Sequence, residues 1–179
     1  MTAQNIKKKV ALLGDPAVGK SSLVRRFVND VFDERYFSTF GAKITKMPVS
    51  FLKEDNPSLS EDLTLTLLIW DITGKKGGKA IQQANYRGTE ACVLVCDVTR
   101  RETLDNLRDW ALEFFETEGE VPTLILVNKS DEVVEYDFLE EDVSALAAEL
   151  KIPYYYTSAK SGEDVVDAFM TIAGMTLKD

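Results

Sequence analysis

The stretch Gly14-Asp15-Pro16-Ala17-Val18-Gly19-Lys20-Ser21 constrains this 179-residue chain more than any other. It fits G-x-x-x-x-G-K-[ST], the pattern of a phosphate-binding P-loop. The apolar run Val10–Leu13 just before it reads as a buried strand. Just after it, Ser22–Val28 puts Leu23, Val24, Phe27 and Val28 on one helical face. Glycine at 14 and 19 permits backbone angles and close approaches that a Cβ would block. The loop N–H groups can then form an anion nest at a helix N-terminus. Lys20 is expected to reach the β- and γ-phosphates, and the Ser21 hydroxyl to ligate Mg²⁺. A glycine turn with a chance Lys-Ser is the plain alternative, and it leaves both flanks unexplained. The chain is expected to bind a nucleoside triphosphate.

The length suits one domain spanning 1–179. A net charge of −9 argues against a nucleic-acid surface and against an anionic-membrane face on the body. Lys7-Lys8-Lys9 is the local exception, read as a solvated edge preceding the first strand. No apolar run approaches the ~20 residues needed to span a bilayer, and no signal peptide is visible. Cys92 and Cys96 fall four residues apart on one expected strand, about 13 Å from each other. That is too far for a disulfide, so they read as reduced thiols in a cytoplasmic compartment. The chain contains no histidine, which removes His-based acid–base catalysis and His-ligated metals.

Downstream, Asn29–Gly41 shows neither alternation nor helical periodicity and reads as a functional loop. Ala42–Leu52 and Leu63–Trp70 are strand-like and joined by the polar turn Lys53–Ser58, giving an antiparallel hairpin. Ala80–Tyr86 reads as a short helix, and Ala91–Cys96 as a strand buried on both faces. Then come a helix over Arg101–Thr117, a strand over Pro122–Val127 and a helix over Glu140–Leu150. A strand over Ile152–Tyr156 and a helix over Glu163–Met175 close the chain, with Glu163 and Asp164 expected in the last helix's first turn. Strands alternating with helices after one hairpin make an α/β protein, a mostly parallel sheet covered on both faces. Ligands of such sheets bind at the carboxyl ends of the strands. That rule brings Gly14, Asp71, Asn128 and Thr157 to one edge.

Asp71 ends an apolar strand ahead of Gly74. In a P-loop protein it would support the metal, mostly through a bound water, with the Gly74 N–H facing the γ-phosphate. Asn128-Lys129-Ser130-Asp131 selects the base. A carboxylate accepts two hydrogen bonds from the N1–H and exocyclic amine of guanine, and adenine offers no such donor pair. Asp131 is therefore the specificity residue, with the Lys129 stem over the base and Asn128 tying loops together. Thr157-Ser158-Ala159-Lys160 would close the site, with the Ala159 N–H on guanine O6.

Taken in order, G-D-P-A-V-G-K-S, Thr39-Phe40-Gly41, W-D-I-T-G, N-K-S-D and T-S-A-K resemble a Ras-superfamily small GTPase over essentially the whole chain. Tyr86-Arg87-Gly88 and Val95-Cys96-Asp97-Val98-Thr99 resemble the Rab branch most. W-D-I-T-G and Lys43–Lys46 are similar to prokaryotic, including archaeal, Rab-like members. The resemblance implies a P-loop G domain with a six-stranded sheet, one strand antiparallel, and five helices. It implies a molecular switch that binds GTP and GDP with Mg²⁺ and hydrolyses GTP. It carries nucleotide contacts onto Gly14, Asp15, Pro16, Ala17, Val18, Gly19, Lys20, Ser21, Ser22, Phe32, Thr39, Gly74, Asn128, Lys129, Asp131, Ser158, Ala159 and Lys160. Metal ligation falls on Ser21, Thr39 and, through water, Asp71. Phe32 would pack edge-on against guanine, or else serve as core under the loop. Effector, exchange and GTPase-activating proteins would engage switch I (about Phe32–Gly41) and switch II (about Asp71–Tyr86), which the γ-phosphate orders.

Two departures from the pattern bear on turnover. Lys75 stands where the catalytic glutamine is usual, beside Lys20, Thr39 and Gly74 in the hydrolytic group. An ammonium donates but cannot accept, so it orients the attacking water poorly. Slow hydrolysis is expected, and the alternative is a GTP-loaded, hydrolysis-deficient binding module. Pro16 removes one early-loop N–H and fixes φ. Arg35 is either a solvated loop residue or a cation supplied to the transition state in cis. A P-loop kinase would need an arginine-rich lid, for which Lys75–Lys79 is a poor candidate. The chain ends without the cysteine tail used for prenylation, and Thr2 excludes N-myristoylation, so no lipid anchor is visible. A peripheral membrane location would need a tail or partner supplied from elsewhere.

Overall fold

The continuous apolar runs become central strands because both of their faces are covered. In a computed structural model, β1 (Ile6–Leu13) sends Val10 and Leu12 into one core layer and Ala11 and Leu13 into the other. The same alternation divides β4 (Ala91–Asp97), with Ala91, Val93 and Val95 on one side and Cys92, Leu94 and Cys96 on the other. It divides β5 (Thr123–Asn128) as well, with Leu124 and Leu126 opposite Ile125 and Val127. The structure describes residues 6–30, 32, 41–57, 59, 61–72 and 78–177.

With β2 (Ala42–Phe51), β3 (Leu63–Ile72) and β6 (Tyr154–Thr157), the six strands run in the order β2-β3-β1-β4-β5-β6. Only β2 pairs antiparallel, with β3, and the other neighbours are parallel. β2 is an edge strand whose Lys43, Lys46 and Pro48 discourage pairing with another chain. Helices α1 (Lys20–Asn29) and α6 (Val165–Met175) cover one face, where Phe27 stacks on Phe169 at 4.4 Å. Helices α2 (Lys79–Tyr86), α3 (Arg101–Asp105), α4 (Leu107–Glu118) and α5 (Glu140–Leu150) cover the other. Asn106, between α3 and α4, keeps helical angles (φ −73, ψ −16). The pair is thus nearly the single helix expected over Arg101–Thr117, making five helices among the described residues.

Three expectations need correction. Lys7–Lys9 does not precede the first strand but lies in β1, paired with β3. Lys9 is half-buried, its Nζ lying 3.9 Å over the Trp70 ring and donating to the Asn85 and Arg87 carbonyls. β5 and β6 begin one residue after Pro122 and Pro153, whose carbonyls accept from Cys92 and Ile125. The last helix starts at Val165. Asp164 is its left-handed N-cap (φ 51), and Glu163 accepts from Ser130 instead of occupying the first turn. Cys92 and Cys96 are buried and unpaired, and burial pushes both thiols far above their ordinary range.

Candidate functional site

Five strand ends converge at one edge of the sheet. The register pairs Leu12 with Asp71, Asp97 with Asn128, and Asn128 with Thr157. The P-loop leaves β1 at Leu13, so residues distant in sequence meet at the carboxyl ends of neighbouring strands.

In the P-loop, Gly14, Ala17 and Gly19 have φ of 144°, 63° and 103°. Such left-handed backbone in a non-glycine residue marks a strained, purposeful turn. A Cβ on Gly14 would sit 2.2 Å from the Val95 carbonyl oxygen, and one on Gly19 would sit 2.2 Å from Asn128 Nδ2. The close approach demanded of these glycines is therefore to β4 and to Asn128 of the protein itself. Pro16 and Ala17 stand exposed, whereas Val18 is core. Lys20 opens α1 and folds back, donating to the Gly14 and Asp15 carbonyls at 2.8 and 2.9 Å. Burial lowers its pKa to about 8. Asp71 and Asp15 oppose that shift, and Arg100 adds to it. Ser21 and Ser22 occupy the first turn of α1, whose cap residue supplies no side-chain hydrogen bond. Ser21 Oγ donates to Asp71 Oδ2. Asp71 Oδ1 is buried with no partner among the described residues.

Asn128 is the hub of the opposite half. Its Nδ2 donates to the Val18 carbonyl at 2.9 Å. Its Oδ1 accepts from the Ala159 N–H at 3.3 Å and from Thr157 Oγ1 at 3.4 Å. The Ala159 N–H, expected on a base oxygen, is thus held by Asn128 here. Ser158 Oγ donates to Asp131 Oδ1 at 2.6 Å and accepts from the Ser161 N–H, which fixes the carboxylate assigned to the base. Lys129 has left-handed backbone (φ 67) and gives its ammonium to Asp97 Oδ2. Lys160 is exposed. Phe32 packs against the core layer under α1 and α6. Thr39, Gly74, Lys75 and Arg35, and with them most of the expected switch I and residues 73–77 of the expected switch II, lie outside the described residues.

Several residues without an expected role hold these loops. Asp97 is fully buried. Burial alone would raise its pKa, but hydrogen bonds from Lys129 and Thr99 outweigh this and hold it below the ordinary carboxylate range. Arg100 donates to Asp97 Oδ2 at 3.2 Å and to the Pro16 carbonyl at 2.9 Å, so one carboxylate ties Lys129 to the P-loop. The Asp15 carboxylate accepts from Asn106 at 2.7 Å and Trp110 at 2.9 Å, anchoring the loop to α3 and α4. Arg26 donates to the Ala159 and Lys160 carbonyls at 2.8 and 2.6 Å. The strand-end rule that found Asp71 and Asn128 would have found Asp97, which follows the run Ala91–Cys96. Nothing local marks Arg26, Arg100 or Trp110.

Residues 9–178 match the family model described as the Ras family. The chain belongs to the Ras family. It is 37% identical over 178 residues to the Ras-related protein Rab7 of Pisum sativum, covering 95% of this chain and 82% of the relative. It is 36% identical over 167 residues to the Ras-related protein RABD1 of Arabidopsis thaliana (93% and 77%). It is 37% identical over 170 residues to the GTP-binding protein ypt5 of Schizosaccharomyces pombe (94% and 77%). This Ras-family protein is Rab-like, a small GTPase and a GTP-binding regulatory switch that meets regulators or effectors. Among the described residues no helix is long and apolar enough to cross a membrane.

Proposed function

We propose that this Rab-like protein cycles between GTP and GDP with Mg²⁺, hydrolyses GTP slowly, and acts in a trafficking or polarity-type process. The observation that carries the reading is the joining of the two halves of one site. Lys20, Ser21 and Asp71 stand at one end, and Asn128, Lys129, Asp131, Ser158 and Ala159 at the other, with Asn128 Nδ2 on the Val18 carbonyl between them. In this reading the P-loop amides and Lys20 hold the phosphates, and Asp131 accepts from the guanine edge. Asp131 supplies selectivity because a missing base donor leaves its acceptor oxygen unpaired under the base.

A divalent ion suits the residues present. The orphaned Asp71 Oδ1 beside the Ser21 hydroxyl offers hard oxygen donors, the type Mg²⁺ prefers together with substrate phosphates. Ser21 would ligate it directly, Asp71 through water, and Thr39 in the GTP form. Bound there, the ion would neutralise charge on the phosphate oxygens. Thr39 and Gly74 would report the γ-phosphate to the segments 32–41 and 71–86, through which effectors, exchange factors and activating proteins would bind.

Lys75 favours a second reading, a GTP-loaded module with negligible hydrolysis. Nucleotide extracted from freshly purified protein separates the two. Mostly GDP supports the slow switch and mostly GTP the locked module. Adenine nucleotide, or none with no uptake of added GDP, overturns both.

A further inference from the structure

Arg26 lies on α1, the helix that Lys20 opens, and its side chain is only 15% exposed. The Nε–Nη2 edge of its guanidinium faces two successive backbone carbonyls, Ala159 at 2.8 Å and Lys160 at 2.6 Å. Nη1 turns the other way, to the Asp30 carboxylate at 2.9 Å and the Asp30 carbonyl at 3.3 Å, where α1 ends in a left-handed cap. All three guanidinium nitrogens thus donate to oxygens.

The turn that carries these carbonyls is otherwise closed on itself. The Gly162 N–H donates to the Ser158 carbonyl at 2.8 Å, the Ser161 N–H to Ser158 Oγ at 2.9 Å and the Ser158 N–H to the Glu163 carbonyl at 3.1 Å. Those bonds leave the Ala159 and Lys160 carbonyls to Arg26. A trans peptide points its C=O and its N–H in opposite directions. Anchoring the Ala159 carbonyl on α1 therefore turns the Lys160 N–H away from that helix. The Arg26 stem lies against Gly162, where an added Cβ would stand 3.6 Å from Arg26 Cδ. A planar guanidinium fixes two acceptors in one geometry, which an ammonium on a flexible stem does not.

We propose that Arg26 is a positioning residue for the base of the nucleotide. By holding the Ala159 and Lys160 carbonyls it presents the amides of this turn to guanine O6 and slows the release of GDP. Helix α1 is the rigid member of the link, with Lys20 and Ser21 at its start and the guanidinium roughly two turns on. The turn is thereby held in register with the phosphate end of the site by a second tie, beside the Asn128 side chain that joins Val18 to Ala159. This role rests on the guanine-nucleotide reading of the site.

The test is the rate at which a preloaded diphosphate leaves the protein, measured for GDP and for 6-thioguanosine diphosphate. The thio analogue keeps the N1–H and the exocyclic amine but carries a weakly accepting sulfur in place of O6. Arg26→Ala should release GDP about tenfold faster or more. It should speed release of the thio analogue by a clearly smaller factor, because the contact that Arg26 supports is already weak there. Arg26→Lys keeps the charge and loses the fork; it should show the same inequality with a smaller loss, and it carries the comparison if Arg26→Ala does not fold. Asp30→Ala removes only an exposed ion pair and should change release by less than about twofold. Equal acceleration of the two diphosphates overturns the proposal, since a general loosening of the fold does not sense the atom at C6. So does GDP release at the wild-type rate, or an Asp30→Ala effect as large as that of Arg26→Ala. Wild-type protein that takes up no guanine nucleotide overturns the nucleotide reading itself, and that shows before any variant is compared.

Discussion

The Lys129 ammonium, from the N-K-S-D loop, sits on the fully buried carboxylate of Asp97 at the end of the neighbouring strand. Arg100 shares that oxygen and reaches the Pro16 carbonyl, so Asp97 links the N-K-S-D loop to the P-loop. Asp97→Asn keeps the shape and removes the charge, leaving two cations facing a neutral amide. A loss on the order of 3 kcal/mol in stability is expected. Release of a fluorescent GDP analogue should become at least about tenfold faster. Unchanged release would show that Asp97 serves the core alone.

Ser158 orders the Asp131 carboxylate, its hydroxyl lying 2.6 Å from Asp131 Oδ1. A hydrogen bond to a charged group contributes roughly 1.5–3 kcal/mol. Ser158→Ala should therefore weaken GTP binding by about ten- to a hundredfold. Inosine triphosphate lacks the exocyclic amine, so its binding should suffer less and the preference for GTP should narrow. Equal losses for both nucleotides would mean that Asp131 does not read the amine.

Lys20 gives a pH dependence whose sign is fixed. Burial disfavours the ammonium and lowers its pKa from the ordinary 10.5 to about 8. A polyphosphate favours the ammonium, so binding raises the pKa and takes up a proton. Calorimetry of GDP binding at pH 8, in buffers of different ionisation enthalpy, should show uptake of about half a proton per nucleotide. Affinity should fall as pH rises above 8. No net uptake at pH 8 would contradict the account.

The two P-loop glycines should differ in their response to alanine. At Gly14 the new methyl meets the backbone of β4, which cannot move, and at Gly19 it meets the Asn128 side chain, which can. Gly14→Ala should be the more destabilising in denaturant unfolding. Gly19→Ala should cost less stability in an Asn128→Ala background than in the wild type, a non-additivity expected of residues in contact. Strict additivity would show that the strain comes from φ alone.

Most of the fold is legible in the sequence because the central strands are uninterrupted apolar runs with helical periodicity between them. Where the reading slipped, a tertiary partner decided. Lys9 enters β1 because Trp70 and two carbonyls receive its ammonium, which no local pattern reveals. Trp110 is a core residue whose indole also holds Asp15, a contact across 95 positions of sequence. The P-loop and the N-K-S-D loop are legible because their chemistry is contiguous. Arg100 and Arg26 are not, because they act by meeting loops that are distant along the chain.

The cradle is thus well supported by its own protein contacts, and the open question is turnover. Hydrolysis of bound GTP in a single turnover, by wild type and Lys75→Gln side by side, tests this most directly. The account predicts slow hydrolysis by the wild type and a rise on Lys75→Gln, because the amide both donates to and accepts from the attacking water. An equal or lower rate in the glutamine variant would contradict it.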